Sequence, residues 1–123
     1  DSDAYNDELP YWVQVEDRPH LVVPYSLVTN DAKLVGGPLV TGRAFGEFLI
    51  DSFDELVSEA GLHPRMMSVG MHARILGHPG RIRGLHTFLA HIQDRDDVWI
   101  CRRRDLAAHW RAVVPPGEGE IPA

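Results

Sequence analysis

Apolar residues in this chain gather into short runs and helical stripes, separated by turn-forming residues. Tyr11-Trp12-Val13-Gln14-Val15 is a strand-like run closed by Glu16 to Pro19. Leu21-Val22-Val23-Pro24-Tyr25 is a second run, and Pro24, which cannot donate to a central ladder, marks its exit into a loop. From Thr29 to Gly42 the chain carries Asn30, Asp31, three glycines and a proline. Irregular excursions of that length often serve as lids or binding loops. Phe45, Phe48, Leu49, Phe53, Leu56, Val57 and Ala60 then recur at spacings of three and four, which predicts a helix capped near Gly61.

Arg65 to Met71 is short, mostly apolar and preceded by Pro64, and is expected to be a buried strand ending at His72. Pro79 suits the first turn of a second helix, whose apolar stripe is Ile82, Leu85, Phe88, Leu89 and Ile92. Val98-Trp99-Ile100-Cys101 is expected to be a third buried strand, followed by a helix capped by Asp105, with Leu106, His109, Trp110 and Val113 on one side. Pro115 to Ala123 holds three prolines and two glycines and is expected to be a flexible tail.

Strands alternating with helices predict an α/β fold with parallel strands and helical crossovers. A closed barrel takes about eight strands, and strands buried on both faces need neighbours. Three or four strands make half of such a fold. Residues 1–114 are expected to form that half, and 115–123 the tail.

Composition narrows the classes. The chain is 44% hydrophobic and 24% charged, with a net charge of −6, which is ordinary for a soluble globular protein and argues against nucleic-acid binding. Arg102, Arg103 and Arg104 cluster, as a small anion site or as a solvated face. Cys101 is single, so neither an intrachain disulfide nor a cysteine zinc cluster can form. No run reaches the roughly 18 apolar residues of a membrane span. The absence of a secretion signal favours a cytoplasmic location, and the start at Asp1 suggests a piece of something longer.

Reacting groups in α/β folds sit at the carboxyl ends of strands. His72 occupies that position, suited to acid–base work near neutral pH; a loop histidine satisfying backbone is the alternative. His63 and His78 lie beside prolines in turns, and His86, His91 and His109 lie on helices without a ligand partner at metal-site spacing. No metal site is therefore expected from this chain alone. Asp1, Asp3, Asp7 and Glu8, beside Tyr5 and Asn6, would either orient a catalytic side chain or be a solvated terminus. Asn30-Asp31 is equally open. A Gly-x-Ser-x-Gly elbow, a phosphate-cradling glycine loop and a spaced Cys–His pair are all absent.

Taken in order, these blocks resemble a known family. Asp1 to Trp12, then Val23-Pro24-Tyr25-Ser26-Leu27 with Thr29-Asn30-Asp31, are similar to motifs opening the second half of NodB-like polysaccharide deacetylases. Met66 to His72, running through Arg74, Gly77 and Pro79-Gly80-Arg81, resembles the last active-site motif of the branch holding allantoinases, cyclic imide hydrolases and peptidoglycan-deacetylase-like proteins. Val98 to Arg103, with Asp105-Leu106-Ala107 and His109-Trp110, resembles its closing strand and helix.

The resemblance implies the C-terminal half of a distorted (β/α) barrel hydrolase acting on a non-peptide C–N bond. In that picture a divalent metal, usually zinc, sits on an Asp and two His of the N-terminal half, where an Asp also acts as base. His72 is implied as the general acid, and Asp3 as catalytic through the stretch that positions other side chains. Tyr5, Asn30, Asp31 and Arg74 are expected to bind substrate. Asp1 and Asp3 are candidates for the acceptor on the far ring nitrogen of His72. The expected partners are a companion chain carrying the other half, an oligomer of the assembled unit, and a small amide, imide or N-acetyl sugar. A non-catalytic binding or regulatory module descended from such a barrel is the competing expectation.

Overall fold

The polar pair Glu16-Asp17 has φ values of 46° and 59°, and it turns the first apolar run back on itself. Two successive positive-φ residues match the twist of a tight hairpin. The result, in this computed structural model, is an antiparallel pair. β1 (Tyr11–Val15) and β2 (Arg18–Val22) are registered from Tyr11↔Val22 to Val15↔Arg18. The structure describes residues 7–37, 39 and 41–117. A two-residue connection leaves no room for a helical crossover, so these runs pair antiparallel, contrary to the parallel expectation.

Among the described residues, five helices follow: α1 (Lys33–Gly36), α2 (Gly42–Glu59), α3 (Ala73–Leu76), α4 (Pro79–Ile92) and α5 (Arg103–Val113). The described residues divide into two units. One is Ser26–Val98; in the other, the chain up to Tyr25 is joined by the chain from Trp99 onward. The fold is mixed α/β.

Within Ser26–Val98, α2 starts where Thr41 takes extended backbone and its hydroxyl accepts the N–H of Ala44 at 3.1 Å. Phe45, Leu49 and Phe53 then fall on one buried face, against Phe88 and Ile92 of α4, with Leu34 and Leu76 completing the core. Phe53 and Phe88 meet edge to face, with centroids 6.1 Å apart. The two helices approach closely because Gly42 and Gly46 face Gly84: a Cβ on Gly84 would meet the Gly42 carbonyl oxygen. The buried face of α4 is Gly84, Phe88 and Ile92, so Leu89, expected inside, stands 43% exposed.

The expected parallel strands at Arg65–Met71 and Val98–Cys101 do not form a ladder. Among the described residues, parallel pairing is confined to one bridge, Asn30↔Gly70. Parallel strands need a hydrogen-bonding neighbour along their length, and here these runs have none beyond that bridge.

In the other unit, Trp12 donates from Nε1 to the Val114 carbonyl at 2.8 Å, and Arg103 donates to the carbonyls of Val23 and Pro24. Arg102, not Asp105, is the N-cap of α5. Asp105 lies in the first turn and pairs with Arg102 at 2.7 Å. Cys101, expected inside, is exposed. Pro115–Gly117 is exposed chain without regular structure, and the rest of the expected tail lies outside the described residues. No described helix is long and apolar enough to cross a membrane.

Candidate active site

The Asn30↔Gly70 bridge brings together two segments far apart in sequence. Asp31 donates its N–H to the Gly70 carbonyl at 3.0 Å, and Gly70 returns its own N–H to the Thr29 carbonyl at 3.0 Å. The Thr29 hydroxyl donates to the Ser68 carbonyl at 2.5 Å, and the Ser68 hydroxyl accepts the N–H of Ser26 at 3.1 Å. The chain then runs on through Met71 to His72, whose extended backbone (φ −117°, ψ 124°) precedes α3. The His72 carbonyl accepts the N–H groups of Ile75 and Leu76, which anchors the residue from its C-terminal side as well.

Asp31 is fully buried and directs both carboxylate oxygens at His72. One lies 2.7 Å from ring Nδ1, and the other accepts the His72 backbone N–H at 2.8 Å. A carboxylate accepting the backbone N–H is an acceptor at Nδ1 as well, so the proton is assigned to Nδ1. Asp31 does not engage Nε2, and 48% of the His72 side chain is exposed. One imidazole nitrogen is locked and the other presented.

The sequence-predicted residues distribute as follows. His72 and Asp31 meet. Asn30 is buried beside them, 8% exposed, with its Oδ1 accepting the Ala32 N–H at 2.9 Å. Arg74 is exposed in the first turn of α3. Asp3 and Tyr5, like Asp1, lie outside the described residues. Asp31 was expected to bind substrate, but its buried carboxylate faces His72 and fills the acceptor position for which Asp1 and Asp3 were candidates. No local signal announced that pairing, which spans 41 positions.

His91 instead pairs with Asp54 at 2.8 Å on the surface, and His109 packs edge to face on Trp99 with centroids 5.4 Å apart. Among the described residues, no three His, Cys, Asp or Glu side chains group as metal ligands. A cavity of about 440 Å³ lies at Thr41, Gly42, His78, Gly80 and Arg81 and includes neither His72 nor Asp31. The candidate centre rests on the oriented histidine, not on that depression.

The chain is 39% identical, over 127 aligned positions and 94% of its length, to a Schizosaccharomyces pombe (strain 972 / ATCC 24843) protein named "Putative polysaccharide deacetylase". It also superposes, over 94% of its length, on the crystal structure of a "probable Polysaccharide deacetylase from Pseudomonas aeruginosa PAO1", with a TM-score of 0.86 and 42% identity. The chain belongs to the polysaccharide deacetylase family. The same 94% superposes on the crystal structure of Puue Allantoinase, with a TM-score of 0.88 and 39% identity. No family model matches the chain. It spans about two fifths of the length of these relatives: 39% of the fission-yeast deacetylase, 39% of the allantoinase and 40% of the Pseudomonas deacetylase. This deacetylase-family chain shares a mixed α/β fold with these solved structures.

Proposed function

We propose that this chain supplies the general acid of a hydrolase that cleaves a non-peptide C–N bond, either opening a cyclic amide or imide or removing an N-acetyl group. The observation that carries the reading is the locked and half-exposed imidazole of His72, with both oxygens of buried Asp31 behind it. An amide nitrogen leaves poorly as an anion. When water has added to the carbonyl carbon, the C–N bond breaks as Nε2 of protonated His72 delivers its proton to the departing nitrogen. Asp31 keeps the other ring proton on Nδ1, so transfer is confined to Nε2. General acid catalysis of this kind contributes about 10²–10⁴ in rate.

The divalent metal that the resemblance implies has no ligand set among the described residues. Its ligands are assigned to the N-terminal half of the barrel. The same reading makes this chain the C-terminal half of a distorted (β/α) barrel in a cytoplasmic protein. It is completed by segments in a companion half, and the assembled unit forms an oligomer. Met71, Trp99 and Ile100 are each more than half exposed, and the companion half would cover such apolar side chains. The buried area should exceed the ~1,600 Å² of a standard interface, so a stable isolated monomer of this chain in sizing experiments contradicts the assembly.

Arg74, exposed two residues beyond His72, together with Tyr5, is assigned to substrate. A small soluble ring is favoured over a cell-wall polymer. Turnover of allantoin, hydantoin-like rings, succinimide-like rings and N-acetylated oligosaccharides by the complete protein tests this. Turnover of the oligosaccharides alone sinks the small-ring preference, and turnover of none of the four sinks the enzyme reading.

A further inference from the structure

We propose that Asn30 and Gly70 form a steric wedge that sets the distance between Asp31 and His72, making both of them positioning residues. The proposal rests on the reading of His72 as general acid. Asn30 immediately precedes Asp31, and Gly70 stands two residues before His72, so the bridge between them lies at the root of both arms of the pair. Two backbone hydrogen bonds fix the arms in register, Asp31 to Gly70 and Gly70 to Thr29, each at 3.0 Å. Register alone leaves the approach of the side chains undetermined.

The side chain of Asn30 supplies what is missing. Its Oδ1 is held by the Ala32 N–H at 2.9 Å, in a local turn that directs the amide group onto Gly70. A Cβ added to Gly70 would meet Asn30 Nδ2, and would lie 2.9 Å from its Cγ and 3.3 Å from its Cβ. Asn30 is 8% exposed and Asp31 fully buried, so a displaced amide has no open space to enter. It would move the backbone that carries Asp31. Gly70 is thus needed for space, and Asn30 for the shape that fills that space. Neither residue touches a reacting atom in this assignment, and Asn30, expected at first to bind substrate, acts through Asp31. A misplacement of about 1 Å at a catalytic group can cost about 10² in rate.

The test is a double-mutant cycle in the complete protein, read by turnover and by the proton resonance of the His72 Nδ1–H, which hydrogen bonding to a carboxylate shifts far downfield. Gly70→Ala should lower kcat at least about 10-fold, with KM little changed, and broaden or remove that resonance. Asn30→Ala, which introduces no clash, should fold normally, lower kcat several-fold and weaken the same resonance. In Asn30→Ala/Gly70→Ala the new methyl occupies the space vacated by the amide, so turnover and resonance should recover above Gly70→Ala. Such non-additivity is the mark of two side chains in contact. A double variant no better than the product of the single effects overturns the wedge, as does an Asn30→Ala variant indistinguishable from wild type. If Gly70→Ala does not fold, recovery of a folded protein by the double variant supports the wedge, and failure to recover overturns it. The resonance reports on the wedge even if His72→Ala retains full turnover, a result that would remove the general-acid reading alone.

Discussion

Asp31 holds His72 at two points, the ring Nδ1 at 2.7 Å and the backbone N–H at 2.8 Å, across 41 positions of sequence. A carboxylate can accept both hydrogen bonds at once. An amide cannot, because its nitrogen only donates. Asp31→Asn therefore either forfeits the backbone bond or faces Nδ1 with a donor, which would move the ring proton to Nε2 in the neutral imidazole. Turnover by the complete protein should fall at least about 10-fold through kcat, with the thermal melt still cooperative. Unchanged kcat in a folded Asp31→Asn variant would show that the pairing has no catalytic role.

The sequence made some of this legible and hid the rest for physical reasons. The stripe from Phe45 to Phe53 announced α2 because a helix is read from neighbours three and four residues apart, which one segment contains in full. His72 was found from its place after an apolar run. Its partner was not, because Thr29–Asp31 and Ser68–His72 are joined by tertiary contacts, the Asn30↔Gly70 bridge among them, and no periodicity encodes a contact over that separation. The runs Arg65–Met71 and Val98–Cys101 have strand composition, yet a ladder is a property of two segments, and among the described residues their strand pairing stops at the Asn30↔Gly70 bridge. The hairpin was missed for a smaller reason: Glu16-Asp17 lacks the glycine that usually signals positive φ.

The close crossing of α2 and α4 depends on the bare backbone of Gly84. A Cβ there would meet the Gly42 carbonyl oxygen and lie 2.7 Å from its carbon and 3.2 Å from Gly46 N. Backbone cannot rotate aside as a side chain can, so the helices must separate. Gly84→Ala should destabilise the protein by about 1–3 kcal/mol, seen as a lower urea midpoint. An equal or higher midpoint would mean that the helices relax freely.

Thr41 caps α2 through its hydroxyl, which accepts the Ala44 N–H at 3.1 Å. Thr41→Ala removes that acceptor and should cost about 1 kcal/mol, while Thr41→Ser, which keeps the hydroxyl, should cost only a few tenths. Thermal denaturation of the two variants side by side checks the cap. Equal losses would assign the effect to the lost methyl group instead.

Cys101 is exposed, yet local desolvation, with the Asp105 carboxylate adding to it, holds its thiol above the ordinary thiol range. The thiolate is the reactive form, and a raised pKa lowers its share at any pH below that value. Alkylation of Cys101 by iodoacetamide should therefore be slower than that of a free cysteine peptide at neutral pH, with its rate profile displaced to higher pH. A profile at or below that of the peptide would contradict the assignment.

The central claim is that His72, held by Asp31, protonates the leaving nitrogen. His72→Ala removes the donor while leaving the hydrophobic core of Phe45, Leu49, Phe53 and Phe88 untouched, so folding and assembly should persist. The decisive measurement is kcat of the His72→Ala variant of the complete protein on a substrate that the wild type turns over, alongside a thermal melt. The predicted result is a loss of at least about 10²-fold with an intact melt; near-normal kcat in a folded variant would contradict the claim and leave His72 a loop histidine.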